Sequence, residues 1–345
     1  APDQALMFPS RGPGVRDLPS ATDVFAVADA SNWTQPDLVR KEFIGDGDWH
    51  DPINWIGGKV PNGADEVFIR TRDHRVNLYL TGNAYAQDLH VAEGAWIVTG
   101  THTLQANRSA QIDGASPFAG LSRVIVNAGG SFGVGGDTSL TNGATVALEG
   151  GLMQVAPGVL TVGPGCTIEG LGTVYVQDTL VNDGCLRADV GTLTVRAGAS
   201  GTLDLGGAGA GCLEALTGNL LIEGNTDPFD GTLMIASGHS ATFVESARLE
   251  VGGRIELGGT LGGGGWGMAG EIEAQSALAR ITSNVTFYGS SQTAVPASRE
   301  LRLSGTTYFH GGTFSGDGVL CQNGDLHVEA ATDIGTDVFD WDGTG

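Results

Sequence analysis

The stretch that decides the fold is VLTVGPGCTIEGLGTVYV, residues Val159–Val176. It holds two short apolar runs, Val159–Val162 and Val174–Val176, with four glycines between them. Side chains that alternate with a period of two give a β-strand one buried face. Runs this short cannot form an amphipathic helix, and the glycines would break one. The stretch therefore predicts short strands joined by tight turns.

The same arrangement recurs along the chain from about residue 64. Apolar triplets such as Val67–Ile69, Leu193–Val195 and Leu326–Val328 alternate with turns in which a polar residue precedes glycine. The turns follow no strict period, which suits solenoid coils of roughly 20 residues with variable loops. A set of β-sandwiches is the alternative, but it normally has longer strands and more aromatic residues than the 7% found here. We therefore predict an all-β fold, a parallel β-helix.

The first 45 residues differ from the rest of the chain. They contain five prolines and the one plausible helical stretch, Asp37–Phe43. We predict that residues 1–45 form an irregular N-terminal arm or cap, with one helical turn, and that residues 46–345 form the β-helix. The sequence stops at Gly345 within a run that resembles the middle of a module, so we expect a further segment beyond it.

The charge balance limits the partners. Asp and Glu number 39 and Lys and Arg 17, giving a formal net charge of −22. Nucleic acids and anionic membrane surfaces would be repelled by this excess of negative charge. No run of 18 apolar residues is present, so we expect no membrane insertion. A hydrophobic content of 41% is too high for a disordered chain.

Residues 48–69 read DWHDPINWIGGKVPNGADEVFI. This stretch resembles the opening of glycine-rich bacterial surface proteins with right-handed β-helices, including autotransporter-passenger-like and sorting-tagged exoproteins. It is also similar to the entry of G8-type extracellular domains. A related sequence pattern recurs at Ile168–Val174 and Leu180–Leu186. The resemblance implies a right-handed β-helix in an extracellular or cell-surface protein with a structural, adhesive or glycan-facing role.

Trp49 and Trp55 lie where the first coil of the solenoid is expected. That coil has no neighbour below it, so its apolar face needs a cover. Large aromatic side chains bury much area at this position. We expect the two tryptophans to cap the open end, and the alternative is that they bind carbohydrate by stacking on sugar rings.

Two acidic clusters are candidates for calcium binding, because calcium prefers several hard oxygen ligands. Asp46, Asp48 and Asp51 lie within six residues of one another, and Asp227 and Asp230 flank a Pro-Phe pair. Ordinary turns and caps formed by aspartate are the alternative interpretation.

The four cysteines are Cys166, Cys185, Cys212 and Cys321. Cys166 and Cys185 are 19 residues apart, which is close to one coil, and each follows a glycine turn. Stacked coils would place them about 4.8 Å apart. We predict that these two form a disulfide or a pair of stacked free thiols.

Catalytic motifs are absent from the sequence. It contains no His-Glu-x-x-His pattern, and its arginines are scattered. His90 and His327 each occupy the middle of a Leu-His-Val triplet, where alternation predicts a solvated imidazole. We expect a non-enzymatic extracellular solenoid, a segment of a surface or filament protein that associates with itself or with other surface proteins. The alternative is a β-helix that binds or processes carbohydrate.

Overall fold

In the computed structural model, the described residues are 40–70, 76–115, 121–206, 211–244 and 250–341. The side chains of Glu250, Asp337 and Val338 are outside this description. The chain divides into two units, Ala1–Arg40 and Lys41–Gly345. The arm predicted for residues 1–45 lies largely outside the described residues, as does Asp37 at the start of the predicted helical turn.

Strands dominate the described part of the chain, together with one short 3₁₀-helix at Pro52–Asn54. The first sixteen strands are β1 (Arg40–Phe43), β2 (Gly47–Asp48), β3 (Glu66–Arg70), β4 (Asn77–Tyr79), β5 (Ala84–Ala92), β6 (Trp96–Val98), β7 (Thr103–Asp113), β8 (Arg123–Asn127), β9 (Ser131–Val134), β10 (Thr138–Thr141), β11 (Thr145–Val155), β12 (Val159–Val162), β13 (Thr167–Val176), β14 (Thr179–Asn182), β15 (Cys185–Ala197) and β16 (Thr202–Asp204).

The other sixteen are β17 (Cys212–Ala215), β18 (Gly218–Glu223), β19 (Asn225–Thr226), β20 (Thr232–Ile235), β21 (Ser240–Val244), β22 (Glu250–Val251), β23 (Arg254–Leu257), β24 (Thr260–Gly263), β25 (Trp266–Met268), β26 (Glu271–Ala274), β27 (Ala279–Ile281), β28 (Val285–Ala294), β29 (Glu300–Leu303), β30 (Thr307–Gln322), β31 (Leu326–Val328) and β32 (Asp333–Trp341).

These strands stack in parallel as a β-solenoid of about 12 turns, which confirms the predicted fold class. Each strand pairs with a strand of the next coil, so the pairs form three faces. Face A follows β4–β6–β8–β11–β13–β15–β17–β20–β23–β26–β28–β30–β32. Face B begins β3–β5–β7–β10–β12–β14–β16. Face C begins β5–β7–β9–β11–β13–β15–β18.

The core consists of inward-facing side chains that sit directly above one another. On face A, Val146 pairs with Ile168, Ile168 with Leu186, and Leu186 with Leu213, and all four are buried. The separations are 22, 18 and 27 residues, so coil length varies while the register of the inward row is kept. The alternation seen in the sequence is therefore the alternation between core and surface.

Glycine is required where one coil passes close to the next. Gly170 has φ +107°, and a Cβ at this position would lie 2.0 Å from the carbonyl oxygen of Leu148 in the coil below. It also lies beside an interruption in the register between β13 and β15. Gly170 thus supplies both the backbone conformation and the space that the bend between faces A and C needs.

The predicted helical turn at the end of the N-terminal arm is wrong for Arg40–Phe43. These residues form β1, which pairs with β3, so the sheet already includes residues before position 46. The reason is their alternating burial. Lys41 and Phe43 point inward, and Phe43 packs edge-on against Trp55 with ring centroids 5.0 Å apart.

Candidate functional site

The tryptophan pair lies inside the first coil. Trp49 and Trp55 are 0% and 1% exposed, and their rings meet edge-to-face at 4.9 Å. Trp55 Nε1 donates a 2.6 Å hydrogen bond to the Trp49 carbonyl oxygen. This burial agrees with a capping role. It makes the carbohydrate-binding interpretation of the two residues wrong, because a sugar stacks only on an accessible ring face.

The three carboxylates of the first acidic cluster accept hydrogen bonds from other residues of the chain. Asp46 accepts a 2.7 Å hydrogen bond from the Asn77 backbone, and Asp51 caps the 3₁₀-helix by accepting one from Ile53 N at 3.1 Å. Asp48 accepts hydrogen bonds from His50 N and Thr81 Oγ1. Burial alone would raise the pKa of Asp48, but these hydrogen bonds outweigh burial and the pKa is lowered.

Among the described residues, Asp46, Asp48 and Asp51 do not bring their carboxylate oxygens within 4.8 Å of one another. In that part of the chain, one group of three His, Cys, Asp or Glu side chains has its ligand atoms within 4.8 Å of one another, and it contains none of the predicted aspartates. Asp227 donates its backbone N–H to Leu203, and Asp230 Oδ1 occupies the space where a side chain at Gly252 would begin. Closeness in sequence does not bring the first three carboxylates to a common point, and calcium binding by Asp227 and Asp230 stays a prediction.

The disulfide joins Cys185 to Cys212, so the predicted Cys166–Cys185 pairing is wrong. Thr167 is the residue that pairs with Cys185, and Cys166 lies one position earlier. A shift of one residue turns a side chain to the opposite face of a strand. Cys166 consequently points into the core as a free thiol, and burial raises its pKa. Cys185 and Cys212 are direct partners in the register, with Cα atoms 4.6 Å apart.

Charged side chains form a ladder across the coils of face A. Arg123 Nη2 lies 2.9 Å from Glu169 Oε1, and Arg187 Nη1 lies 3.8 Å from Glu169 Oε2. Arg187 also contacts Glu214, and this contact raises the pKa of its guanidinium. Arg187 thus holds glutamates of the coils on either side of it, and Arg123 reaches a glutamate two coils away.

Face B carries a groove of about 480 Å³ near its N-terminal end. At one edge the ring of His90 stacks on Phe68 of the coil below, with centroids 4.4 Å apart and planes 7° from parallel. The remaining wall combines apolar groups with hydroxyl, amide and carboxylate side chains. The lining residues are His90, Ser109, Ala110, Gln111, Asp137, Thr138, Ser139, Val159 and Thr161.

A nearly buried carboxylate lies beside this groove. Asp88, whose side chain is 4% exposed, accepts hydrogen bonds from Arg108 Nε at 2.8 Å and from Ser109 Oγ at 2.5 Å. The Arg108 hydrogen bond is the largest influence and lowers the pKa of Asp88, while burial acts in the opposite direction. Asp88 thus stays ionised and fixes the two side chains beside it.

Both outward histidines of the Leu-His-Val triplets stack on an aromatic ring. His90 lies over Phe68, and His327 lies over Tyr308 at 4.7 Å. The aromatic partner occupies the middle of a triplet one coil earlier, as in Val67–Ile69. Each aromatic–histidine pair is therefore present in the sequence as the middle residues of two triplets. Predicting the contact requires the number of residues in the coil that separates them.

The sequence matches no protein-family model, and comparisons with curated proteins and with solved structures also give no match. Within the described part of the chain, no helix has the length and apolar character needed to cross a membrane.

We predict that Trp55→Ala lowers the stability of the fold by about 3–5 kcal/mol, because it empties the base of the core and removes a buried donor. Thermal unfolding followed by circular dichroism measures the change. Trp341→Ala is the matched control, since Trp341 is 46% exposed. Equal melting temperatures for wild type and Trp55→Ala would contradict the capping role.

A second prediction concerns pH. The pKa of Asp88 is lower in the folded chain than in the unfolded chain, where it is about 3.9. Its ionised form therefore stabilises the fold above that unfolded value, and the stabilisation is lost as pH falls through the folded pKa. Asp88→Asn should lower the melting temperature at pH 7, and the gap to wild type should narrow below about pH 4.

The control for this pH series is Asp317→Asn, which changes an exposed aspartate elsewhere in the solenoid. Its melting temperature should follow that of wild type at every pH. A gap between Asp88→Asn and wild type that stays constant from pH 7 to pH 2.5 would show that ionisation of Asp88 contributes nothing.

Proposed function

We propose that this chain is a non-enzymatic extracellular solenoid with a structural or adhesive role, a segment of a surface or filament protein. The observation that carries the proposal is the stacking of parallel coils, in which one row of inward residues on face A keeps its register from Val146 to Ile272. Each coil is hydrogen-bonded to the coils before and after it, so stability accumulates along the stack. Such a stack holds its outer faces in fixed positions, which suits a scaffold.

The chemistry of the charged residues supports a non-catalytic role. Arg123 and Arg187 are held in ion pairs with glutamates. Asp48 and Asp88 have lowered pKa values, whereas a carboxyl group that acts as a general acid needs a raised one. These groups therefore act in hydrogen bonds and ion pairs that stabilise the fold.

Two observations support a location outside the cell. The Cys185–Cys212 disulfide is typical of proteins in oxidising compartments. Residues 48–69 resemble the opening of bacterial surface β-helices.

We further propose that the chain associates with copies of itself or with other surface proteins, for which the exposed Leu171 and Val190 supply apolar contact area.

The test is labelling of the producing cells with an antibody raised against the purified chain. Intact cells should be labelled as strongly as lysed cells, and the purified chain should release no sugars from neutral or acidic polysaccharides. In sedimentation velocity the chain should form larger species as its concentration rises, and Val190→Asp should reduce them. Labelling only after lysis, or any polysaccharide cleavage, would refute the proposal.

A second candidate function is carbohydrate binding in the face B groove. The groove combines a stacked aromatic–imidazole pair with hydroxyl, amide and carboxylate side chains, which supply an apolar ring face and hydrogen-bonding groups for a sugar. Because the chain carries a net charge of −22, a neutral polysaccharide is a better ligand than an acidic one.

We expect His90→Ala and Gln111→Ala each to weaken binding of neutral polysaccharides, measured by affinity electrophoresis. His327→Ala is the matched control, because His327 has the same stacking on an aromatic ring but lies outside the groove. Circular dichroism checks that each variant is folded. Equal retardation of wild type and the two groove variants would rule out this site.

A further inference from the structure

The side chains of Cys185, Cys212 and Glu214 bring three potential metal ligands within 4.8 Å of one another on face A. The two sulfur atoms belong to directly paired residues of β15 and β17, and Glu214 lies two residues beyond Cys212 on the same side of β17. All three donors therefore project from one side of a rigid parallel sheet. In the disulfide form the sulfur atoms are bonded to each other and are unable to act as thiolate ligands.

The two carboxylate oxygens of Glu214 face different neighbours. Oε2 accepts a hydrogen bond from Arg187 Nε, whereas Oε1 lies 3.8 Å from Cys212 Sγ. Arg187 thus orients the carboxylate through one oxygen and leaves the other directed at the sulfur. A side chain that hydrogen-bonds to a metal ligand in this way fixes the orientation of that ligand. The positive charge of Arg187 also favours thiolates next to it.

We propose that the reduced Cys185 and Cys212 side chains, together with Glu214 Oε1, bind a thiophilic divalent cation such as Zn²⁺ or Cd²⁺. Two thiolates and a carboxylate are a donor set suited to tetrahedral coordination by these metals, with solvent as the fourth ligand. Oxidation to the disulfide closes the site, and reduction opens it. This proposal is independent of the role of the solenoid as a scaffold.

The chemistry requires a reductant, for which a dithiol suffices. Its thiolate attacks the partly exposed Cys212 sulfur, the bond to Cys185 breaks, and closure of the reductant's own disulfide releases two protein thiols. Two electrons pass from the dithiol to the protein disulfide. The cation then replaces the two thiol protons, which pass to the buffer.

The experiment compares the full chain before and after reduction with a phosphine, which takes an oxygen atom from water and leaves no competing thiol. Cd²⁺ is titrated into both forms under anaerobic conditions. The reduced chain should bind one Cd²⁺ with an ultraviolet thiolate-to-cadmium band, should release protons, and should give up the metal to excess Zn²⁺. The oxidised chain should show no such band.

Four variants assign the ligands. The Cys185→Ser/Cys212→Ser double variant should lose the band while circular dichroism shows that its strand signal is kept. The Cys166→Ser/Cys321→Ser double variant lacks the two buried free thiols and should bind as wild type does. Glu214→Gln should weaken binding at least about tenfold, since even outer-shell partners contribute that much. Glu256→Gln, on the same outward row, is its matched control.

Several results would overturn the proposal. These are the absence of a band in the reduced chain, a band that survives in the Cys185→Ser/Cys212→Ser variant, and loss of the band in the Cys166→Ser/Cys321→Ser variant. Equal affinity of wild type and Glu214→Gln would remove the carboxylate from the site. Loss of the strand signal in circular dichroism on reduction would also count against it, because the donors are placed by paired strands.

Discussion

The register between successive coils is the constraint on which the rest of the structure depends. In a parallel ladder each residue is fixed opposite one residue of the next coil, and side chains alternate between core and solvent. A slip of one residue would move the whole inward row to the surface. The stacked row that includes Ile168, Leu186 and Leu213 shows that this slip is avoided even where the coils differ in length by nine residues.

The register between coils also explains which features of the fold could be predicted from the sequence. Alternation within Val159–Val162 and Val174–Val176 is local, so it predicted strands and, through their number and spacing, the stacked fold. Contacts between coils depend on the number of residues in each coil, and local alternation in the sequence does not give that number. The cysteine pairing failed for that reason, since the coil from Thr167 to Cys185 has 18 residues and the prediction needed 19.

The candidate sites were hidden from sequence reasoning by the same effect. Arg123 and Glu169 are 46 positions apart, and Phe68 and His90 are 22 apart, yet each pair is in contact. For the tryptophans, burial agrees with the expected capping role, and only the sugar-stacking alternative is wrong. Trp49 and Trp55 were recognised as residues of the first coil, but whether a ring faces solvent depends on packing against Phe43, in a segment for which a helical turn was expected.

The disulfide spans one of the longer coils of the solenoid. The coil from Cys185 to Cys212 is 27 residues long, whereas the next inward partners, Leu213 and Leu233, are 20 apart. A longer loop weakens the coupling between coils, because closing it costs more entropy. A covalent link across that coil restores the coupling by restricting the unfolded chain. The same placement brings two sulfur atoms next to Glu214, so the position that secures this long coil is also the one whose chemistry changes when the bond is broken.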